Sequence, residues 1–392
     1  MTARFLSALV AMPLAMPLAC SARGEVLREG SSDPIVLQPT NVRLATGDSH
    51  ACAVTNTKLY CWGQSSDGEL GLPVGEDRGP RAISVSSPRA PAVGRAHSCV
   101  LDNTGRVYCF GDNQFGQLGS GDPEPQNATP SLVTLPAPAV ALASSFDHNC
   151  ALLSDASLWC WGANREGQLG LGDTHPGADH FEPIQVGAQH DWTFVSTGQG
   201  HSCGIRAPGS LYCWGRNTGF QIGQGSSEPQ QYRSPQRVGS DTDWVEVSAG
   251  QNDTCARKRS GTVYCWGNPE GGALAVGDAS PRSTPTLVPE IDDWLSVSTN
   301  TFHTCGLRKN GQIWCAGRNT EGELGASNQV DVVPNMQPVG SDTDWTEVRA
   351  GRFFTCARKN DDNVFCTGAN EAGQVSNDPS VDRSNTMLRV AL

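Results

Sequence analysis

Three sets of residues carry side chains suited to chemistry: recurring histidines, one histidine- and aspartate-rich segment, and paired cysteines. His50, His97, His148, His201 and His303 each stand two residues before a cysteine, and Asp253 and Phe354 hold the matching places in two further segments. Imidazoles at equal heights around a ring would offer nitrogens to a metal or an anion. Metal ligands, however, must converge within about 2 Å of one point, and a ring diverges. The histidines therefore read as part of a repeated consensus, each satisfying backbone groups within its own unit. The segment Gly172 to His190 holds Asp173, His175, Asp179, His180 and His190 without strand patterning. Mixed imidazole and carboxylate suits zinc or calcium, but no standard ligand spacing occurs. It reads as an exposed loop and as the first choice for a contact specific to one copy. Nucleophile-elbow, Walker and HExxH motifs are absent from the sequence, and scattered Ser, His and Asp residues are not a triad. Neither catalysis, nor a metal, nor any other cofactor is expected.

Fourteen of the fifteen cysteines form seven pairs. Cys52 goes with Cys61, Cys99 with Cys109, Cys150 with Cys160 and Cys203 with Cys213. Cys255 goes with Cys265, Cys305 with Cys315 and Cys356 with Cys366. Successive first members lie 47, 51, 53, 52, 50 and 51 residues apart, the mark of a tandem repeat. Turn-forming residues sit midway between partners, as in Asn103-Thr104-Gly105 and Asn310-Gly311. A hairpin through such a turn puts the two cysteines on facing strands, about 4.5 Å apart at Cα if they form a non-hydrogen-bonded pair. Zinc would require a tetrahedral cluster, and no Cys-x2-Cys spacing is present. Disulfides follow, and with them an oxidising compartment.

The elements that position these residues are strands. Runs such as Val245 to Ala249 and Thr262 to Trp266 are β-branched or aromatic and bounded by turn residues. In Val263-Tyr264-Cys265-Trp266 both faces are apolar, so the strand must be covered on both sides. Small sheets buried on both faces and repeated seven times fit blades set radially. Aligned on cysteine, the copies share His-x-Cys, an apolar-aromatic-Cys-aromatic-Gly strand, an Asn, and Gly-Gln-Leu-Gly. His148 to Gly170 shows this most fully. This unit resembles the repeat of the regulator of chromosome condensation family, over roughly residues 40 to 392. The resemblance implies an all-β, seven-bladed β-propeller of four-stranded blades with one disulfide per repeat. Copies depart locally: Pro269 replaces the usual Asn, Phe220 a Gly, and Ala316 and Thr367 the aromatic after the second cysteine. Met387 to Val390 resembles a closing strand and Val42 to Gly47 an opening one, so the ends should meet and seal the ring. Pro34 to Leu37 competes for that slot.

Arg4 precedes a fifteen-residue apolar run, Phe5 to Ala19, too short to span a bilayer comfortably. Leu18-Ala19-Cys20-Ser21 resembles the end of a bacterial lipoprotein signal, and Cys20 is the one cysteine outside the pairs, so lipidation at Cys20 is expected. The expected order is a signal peptide at 1–20, a flexible tether at 21–39 and the propeller at 40–392. The protein is expected outside the cytosol: as a lipoprotein of the outer membrane, periplasm or cell surface, or otherwise secreted. A membrane is expected to be engaged only through that lipid.

Net charge is −12 with no long Lys/Arg run, which argues against nucleic acid. Asp241 and Asp243, Asp292 and Asp293, and Asp342 and Asp344 recur before Trp244, Trp294 and Trp345. They serve either as an acidic rim for a basic partner or simply as turn formers. The sequence points to an exported, monomeric protein-interaction or ligand-binding module whose partner is a protein or glycan of the cell envelope or exterior. The family resemblance adds guanine-nucleotide exchange as an alternative, and a glycan-active or glycan-binding propeller is a third.

Overall fold

The computed structural model describes residues 25–26, 35–36, 43–75, 79–172, 178–326 and 330–392. Cys20 and the whole of the segment 1–20 lie outside these residues, as does most of the tether. Glu25–Val26 and Ile35–Val36 pair with each other, so Ile35–Val36 takes no place in a blade.

Seven four-stranded antiparallel sheets follow, each built from four strands consecutive in sequence. Blade 1 comprises Leu44–Thr46, His50–Thr55, Lys58–Gly63 and Arg81–Ile83; blade 2 Pro88–Val93, His97–Asp102, Val107–Asp112 and Gln126–Val133; and blade 3 Ala139–Ser145, His148–Leu153, Leu158–Gly162 and His180–Gln185. Blade 4 comprises Trp192–Thr197, His201–Arg206, Ser210–Arg216 and Gln231–Arg237; blade 5 Trp244–Ala249, Asp253–Lys258, Val263–Gly267 and Arg282–Leu287; and blade 6 Trp294–Thr299, His303–Arg308, Ile313–Arg318 and Val332–Pro338. Blade 7 closes the series with Trp345–Ala350, Phe354–Lys359, Val364–Ala369 and Arg383–Val390. The first strands of all seven blades line a central channel of about 180 Å³. Blade 5 illustrates why the sheets stack radially. Val263 and Cys265 pack with Trp294 and Ala316 of blade 6, while Trp266 and Tyr264 pack with Trp244 of their own blade and with blade 4.

All seven expected cysteine pairs are disulfides. Cys52 bonds Cys61, Cys99 bonds Cys109, Cys150 bonds Cys160 and Cys203 bonds Cys213. Cys255 bonds Cys265, Cys305 bonds Cys315 and Cys356 bonds Cys366. Each bridge spans 4.1 Å between Cα atoms, somewhat less than the spacing of an ordinary non-hydrogen-bonded pair. Each joins the second and third strands of one blade, with the two cysteines directly opposite in register and both buried.

The seams between blades run on a hydrogen-bond chain. His201 Nε2 lies 2.9 Å from the Thr254 hydroxyl of blade 5, and that hydroxyl donates to the Gln221 carbonyl of blade 4 at 2.9 Å. A hydroxyl that donates to a carbonyl must accept from the imidazole, which fixes the tautomer as Nε2–H. His50 meets Ser98, His148 meets Ser202 and His303 meets Thr355 in the same way, while His97 meets the Asn149 carboxamide oxygen. The expected backbone partners within each histidine's own unit are thus replaced by a side chain of the next blade. Two seams differ. Asp253 accepts from Thr299, whose hydroxyl accepts from Thr304 at 2.6 Å, so a three-residue chain spans that gap. At the closing seam Phe354 packs with Ala51, an apolar pair where the others are polar.

Both ends of the described ring meet there. Leu44 and Val390 share one core cluster with Phe354, the Arg349 guanidinium donates to the Leu44 carbonyl at 3.2 Å, and Arg43 N donates to Glu347 at 3.1 Å. Closure is therefore side by side, with no strand exchanged between blades 7 and 1.

Candidate functional site

Alternation of strand direction sends the connections to two faces. Turns between first and second strands share one face with the long loops between third and fourth strands, which run 13 to 17 residues. The opposite face carries the two- to four-residue hairpin turns and the links between blades.

A repeated asparagine builds the long loops. Asn113 Oδ1 accepts from Leu118 N at 3.0 Å while its Nδ2 donates to the Asp122 and Glu124 carbonyls at 2.7 and 2.8 Å. Asn217 and Asn370 act alike. The Gln or Glu just before the buried Leu or Ile ties down the backbone two residues before itself, as Phe115 N donates to the Gln117 side chain at 2.9 Å. The carbonyl of that Gln receives the next blade's indole: Trp214 Nε1 reaches Gln168 O at 2.8 Å. Where Thr367 stands in place of the tryptophan, its hydroxyl bonds Gly322 O at 2.8 Å instead. In blade 5, Pro269 offers no amide, and a short 3-10 turn, Glu270–Gly272, takes over the loop. The loops are thereby rigidly rooted while their outer residues vary.

The charge they carry is acidic. Among the described residues, the long loops of blades 1 to 7 hold two, two, two, one, two, three and three carboxylates, fifteen in all, against the single Arg165. Glu69 and Glu323 are buried at the loop bases, and the others lie farther out. Strand-end arginines meet part of this charge: Arg282 lies 2.9 Å from Asp278, and Arg318 and Arg383 lie 3.8 and 3.7 Å from Glu321. On the opposite face Asp241, Asp243, Asp293, Asp342 and Asp344 meet cations of their own blade. Lys258 Nζ lies 2.7 Å from Asp241 and 3.3 Å from Asp243, and Lys359 2.6 and 3.0 Å from Asp342 and Asp344. The Arg308 guanidinium grips both Asp293 oxygens at 2.8 and 3.0 Å. Each cation also covers aromatic rings, as Lys258 lies over Trp244 and Tyr264. The repeated aspartates thus anchor the start of a blade, where Asp243 immediately precedes the tryptophan that the same lysine covers.

Near the axis on the long-loop face, Asp48, Asp67, Asp112, Arg95 and Arg352 line a cleft of about 390 Å³. Burial pushes the Asp48 and Asp112 carboxyls up; Arg352 opposes this at Asp48, and the neighbouring Asp147 and Asp67 reinforce it at Asp112. Beside the cleft, Phe302 and Phe353 stack with centroids 5.1 Å apart and planes 25° from parallel, both half-buried. Arg318 lies over both rings at 4.9 and 5.1 Å, and Arg352 over Phe353 at 5.0 Å.

The five residues singled out between Gly172 and His190 divide. Asp173 and His175 lie outside the described residues. Asp179 is on the long-loop face, accepting from Asn164 N at 3.0 Å and lying 3.9 Å from Arg165. His180 opens a strand, His180–Gln185, that the sequence had not suggested. His190 lies beyond that strand on the opposite face, with Nδ1 3.1 Å from the Asp155 carbonyl. Asp179 and His190 therefore do not converge. Among the described residues no three His, Cys, Asp or Glu side chains group as a metal site. Sequence reasoning passed over Phe302 and Phe353. The signal was available, because the residue before the repeated His position is Ser49, Ala96, Asp147, Gly200, Asn252, Phe302 and Phe353, large and apolar only in the last two copies.

A ring of seven such blades defines a repeat propeller, and the chain matches the model of the RCC1-like domain over residues 22–299 and 92–391. It belongs to that family. Among curated proteins it is similar to the ultraviolet-B receptor UVR8 of Arabidopsis thaliana, 30% identical over 256 residues, covering 63% of this chain and 57% of the receptor. The chain thus matches little more than half of that relative's length. Among solved structures it resembles Prp20p of Saccharomyces cerevisiae (TM-score 0.79, 21% identity, 87% of each chain). Human WBSCR16 is also similar (TM-score 0.75, 19% identity, 86% of this chain and 95% of that one). At these identities the structural likeness concerns the fold.

Proposed function

We propose that this protein is an exported binding module that engages another protein through its long-loop face and performs no chemistry of its own. The observation that carries the reading is the charge contrast. Besides the buried Glu69 and Glu323, the described long loops carry thirteen carboxylates. Against them stand Arg165 within the loops and the strand-end Arg282, Arg318 and Arg383 that pair with Asp278 and Glu321, which leaves an excess of acid. On the opposite face, by contrast, Asp241, Asp243, Asp293, Asp342 and Asp344 are held by lysine and arginine of their own blade. Seven buried disulfides suit an oxidising compartment, where they persist, and the N-terminal apolar run with Cys20 suits export and a lipid anchor. Prp20p, the yeast propeller of like fold, binds Gsp1p and histones, and supports protein binding as the use of this scaffold.

Two measurements test the reading. Intact mass of the mature protein before and after reduction reports the fourteen hydrogens of seven bridges and any lipid on Cys20. Free thiols and an unprocessed N-terminus would remove the compartment assignment. Partner recovery from envelope or culture fractions is then compared for two variants. Neutralising Glu270, Asp278, Asp331, Glu371, Asp378 and Asp382 to amides should abolish it, and neutralising Asp241, Asp243, Asp342 and Asp344 should not. The reverse pattern would move the binding face.

A further inference from the structure

Resting on the long-loop face as the binding face, we infer that Phe302 and Phe353 form the anchor point for a partner protein that presents an exposed aromatic side chain within a basic surface. Symmetry supplies the first argument. Repeat positions that serve the scaffold keep their residue from copy to copy, and this position instead becomes phenylalanine in two adjacent blades only. The two rings meet across the blade 6–blade 7 seam at 5.1 Å and remain partly open to solvent. Half-exposed aromatics near the centre of a face are the residues that dominate interface energies.

The chemistry of the occupant follows from the flanking groups. Arg318 lies over both rings and Arg352 over one, so two guanidiniums stand at the anchor. They repel an incoming cation at that spot and offer their planes to a ring. The side chain that enters is therefore aromatic. Around it the sign changes. Asp48, Asp67 and Asp112 line the cleft with Arg95 on the far side of Arg352, and the long loops add twelve further carboxylates besides the buried Glu69 and Glu323. The partner's rim must then be lysine and arginine. The same charge repels a second copy of this face, and it repels phosphate backbones.

Defined probes test this without knowledge of the natural partner. Three labelled peptides of equal length are titrated by fluorescence anisotropy: arginines around a central tryptophan, the same with a central alanine, and the tryptophan peptide with glutamates in place of arginines. The tryptophan–arginine peptide should bind about tenfold more tightly than its alanine counterpart, and the acidic peptide should not bind. Phe302→Ala/Phe353→Ala should erase the tenfold difference while leaving the alanine peptide's affinity unchanged. Phe302→Leu/Phe353→Leu, which keeps apolar bulk, should erase most of it and guards against a misfolded double alanine. Equal binding of the two arginine peptides to the parent protein, or a difference that survives both variants, would overturn the anchor while sparing the acidic face. Failure of both arginine peptides to bind would overturn the acidic face itself.

Discussion

Acidification should loosen the ring at its seams. His50, His148, His201 and His303 are fully buried, and burial pushes each imidazole down to about 3 from its usual 6.5. Between these values the unfolded chain holds protons that the folded chain refuses, so stability is present above 6.5 and falls as pH drops below it. Each histidine withdraws about 1.4 kcal/mol per pH unit, about 2 kcal/mol at pH 5 and about 8 kcal/mol for the four. Asp253 works the other way. Burial raises its carboxyl to about 7 from 3.8, so its contribution is lost as pH rises through that interval and returns on acidification, about 3 kcal/mol at pH 5. For these five groups the sum is a loss of about 5 kcal/mol between neutral pH and pH 5. Burial also lowers His97, which adds to the loss, and raises Asp48, Glu69, Asp112 and Glu323, which oppose it. Urea unfolding at constant ionic strength, with disulfides intact, measures it. His201→Gln retains an N–H donor for Thr254 but takes up no proton. It should therefore flatten the dependence by about 1.4 kcal/mol per pH unit in this interval. An unfolding free energy that does not change with pH, or a variant with the parent's slope, would refute the seam argument.

Three further outcomes are expected. Ser202→Ala removes the acceptor for His148 at 2.7 Å and one of two donors to Gln168 O, and should lower stability by about 1–3 kcal/mol in denaturant titration. Cys203→Ala/Cys213→Ala opens one hairpin loop and should cost about 2–3 kcal/mol, read as a lower thermal midpoint with the other six bridges retained. Phe354→Ala empties the apolar plug of the closing seam and should cost about 3–5 kcal/mol. Hydrogen exchange should then rise first in Leu44–Thr46 and Arg383–Val390, the strands that meet there.

The ring was legible in the sequence because its period is covalently marked: cysteines every fifty residues register the copies, and both-face burial of Val263 to Trp266 requires radial packing. The partner of each histidine was not legible. Ser98 or Thr254 lies about fifty residues on, and only the curvature of the ring decides which hydroxyl an imidazole meets. The aspartates before Trp244 and Trp345 illustrate the same limit. Their turn role was readable from local chemistry, but their cations, Lys258 and Lys359, come from the neighbouring strand of the same blade. The acidity of the long-loop face needed strand direction first, since net charge alone does not assign a loop to a side. Phe302 and Phe353 needed only a comparison of one column across the seven copies.

The placement of the disulfides has a consequence for reversibility. Every bridge closes a hairpin within one blade, as Cys52 with Cys61 in the first and Cys356 with Cys366 in the last, and none crosses a seam. Among the described residues the covalent graph is a string of seven small loops, topologically open, held in a circle by noncovalent joints alone. Acid that protonates the joints can uncoil the circle without breaking a sulfur bond. Neutralisation would then return a chain whose spokes never lost their pairing, so recovery needs neither oxidant nor disulfide exchange. Were the protein exported as proposed, such a ring would survive an excursion to low pH as the same molecule.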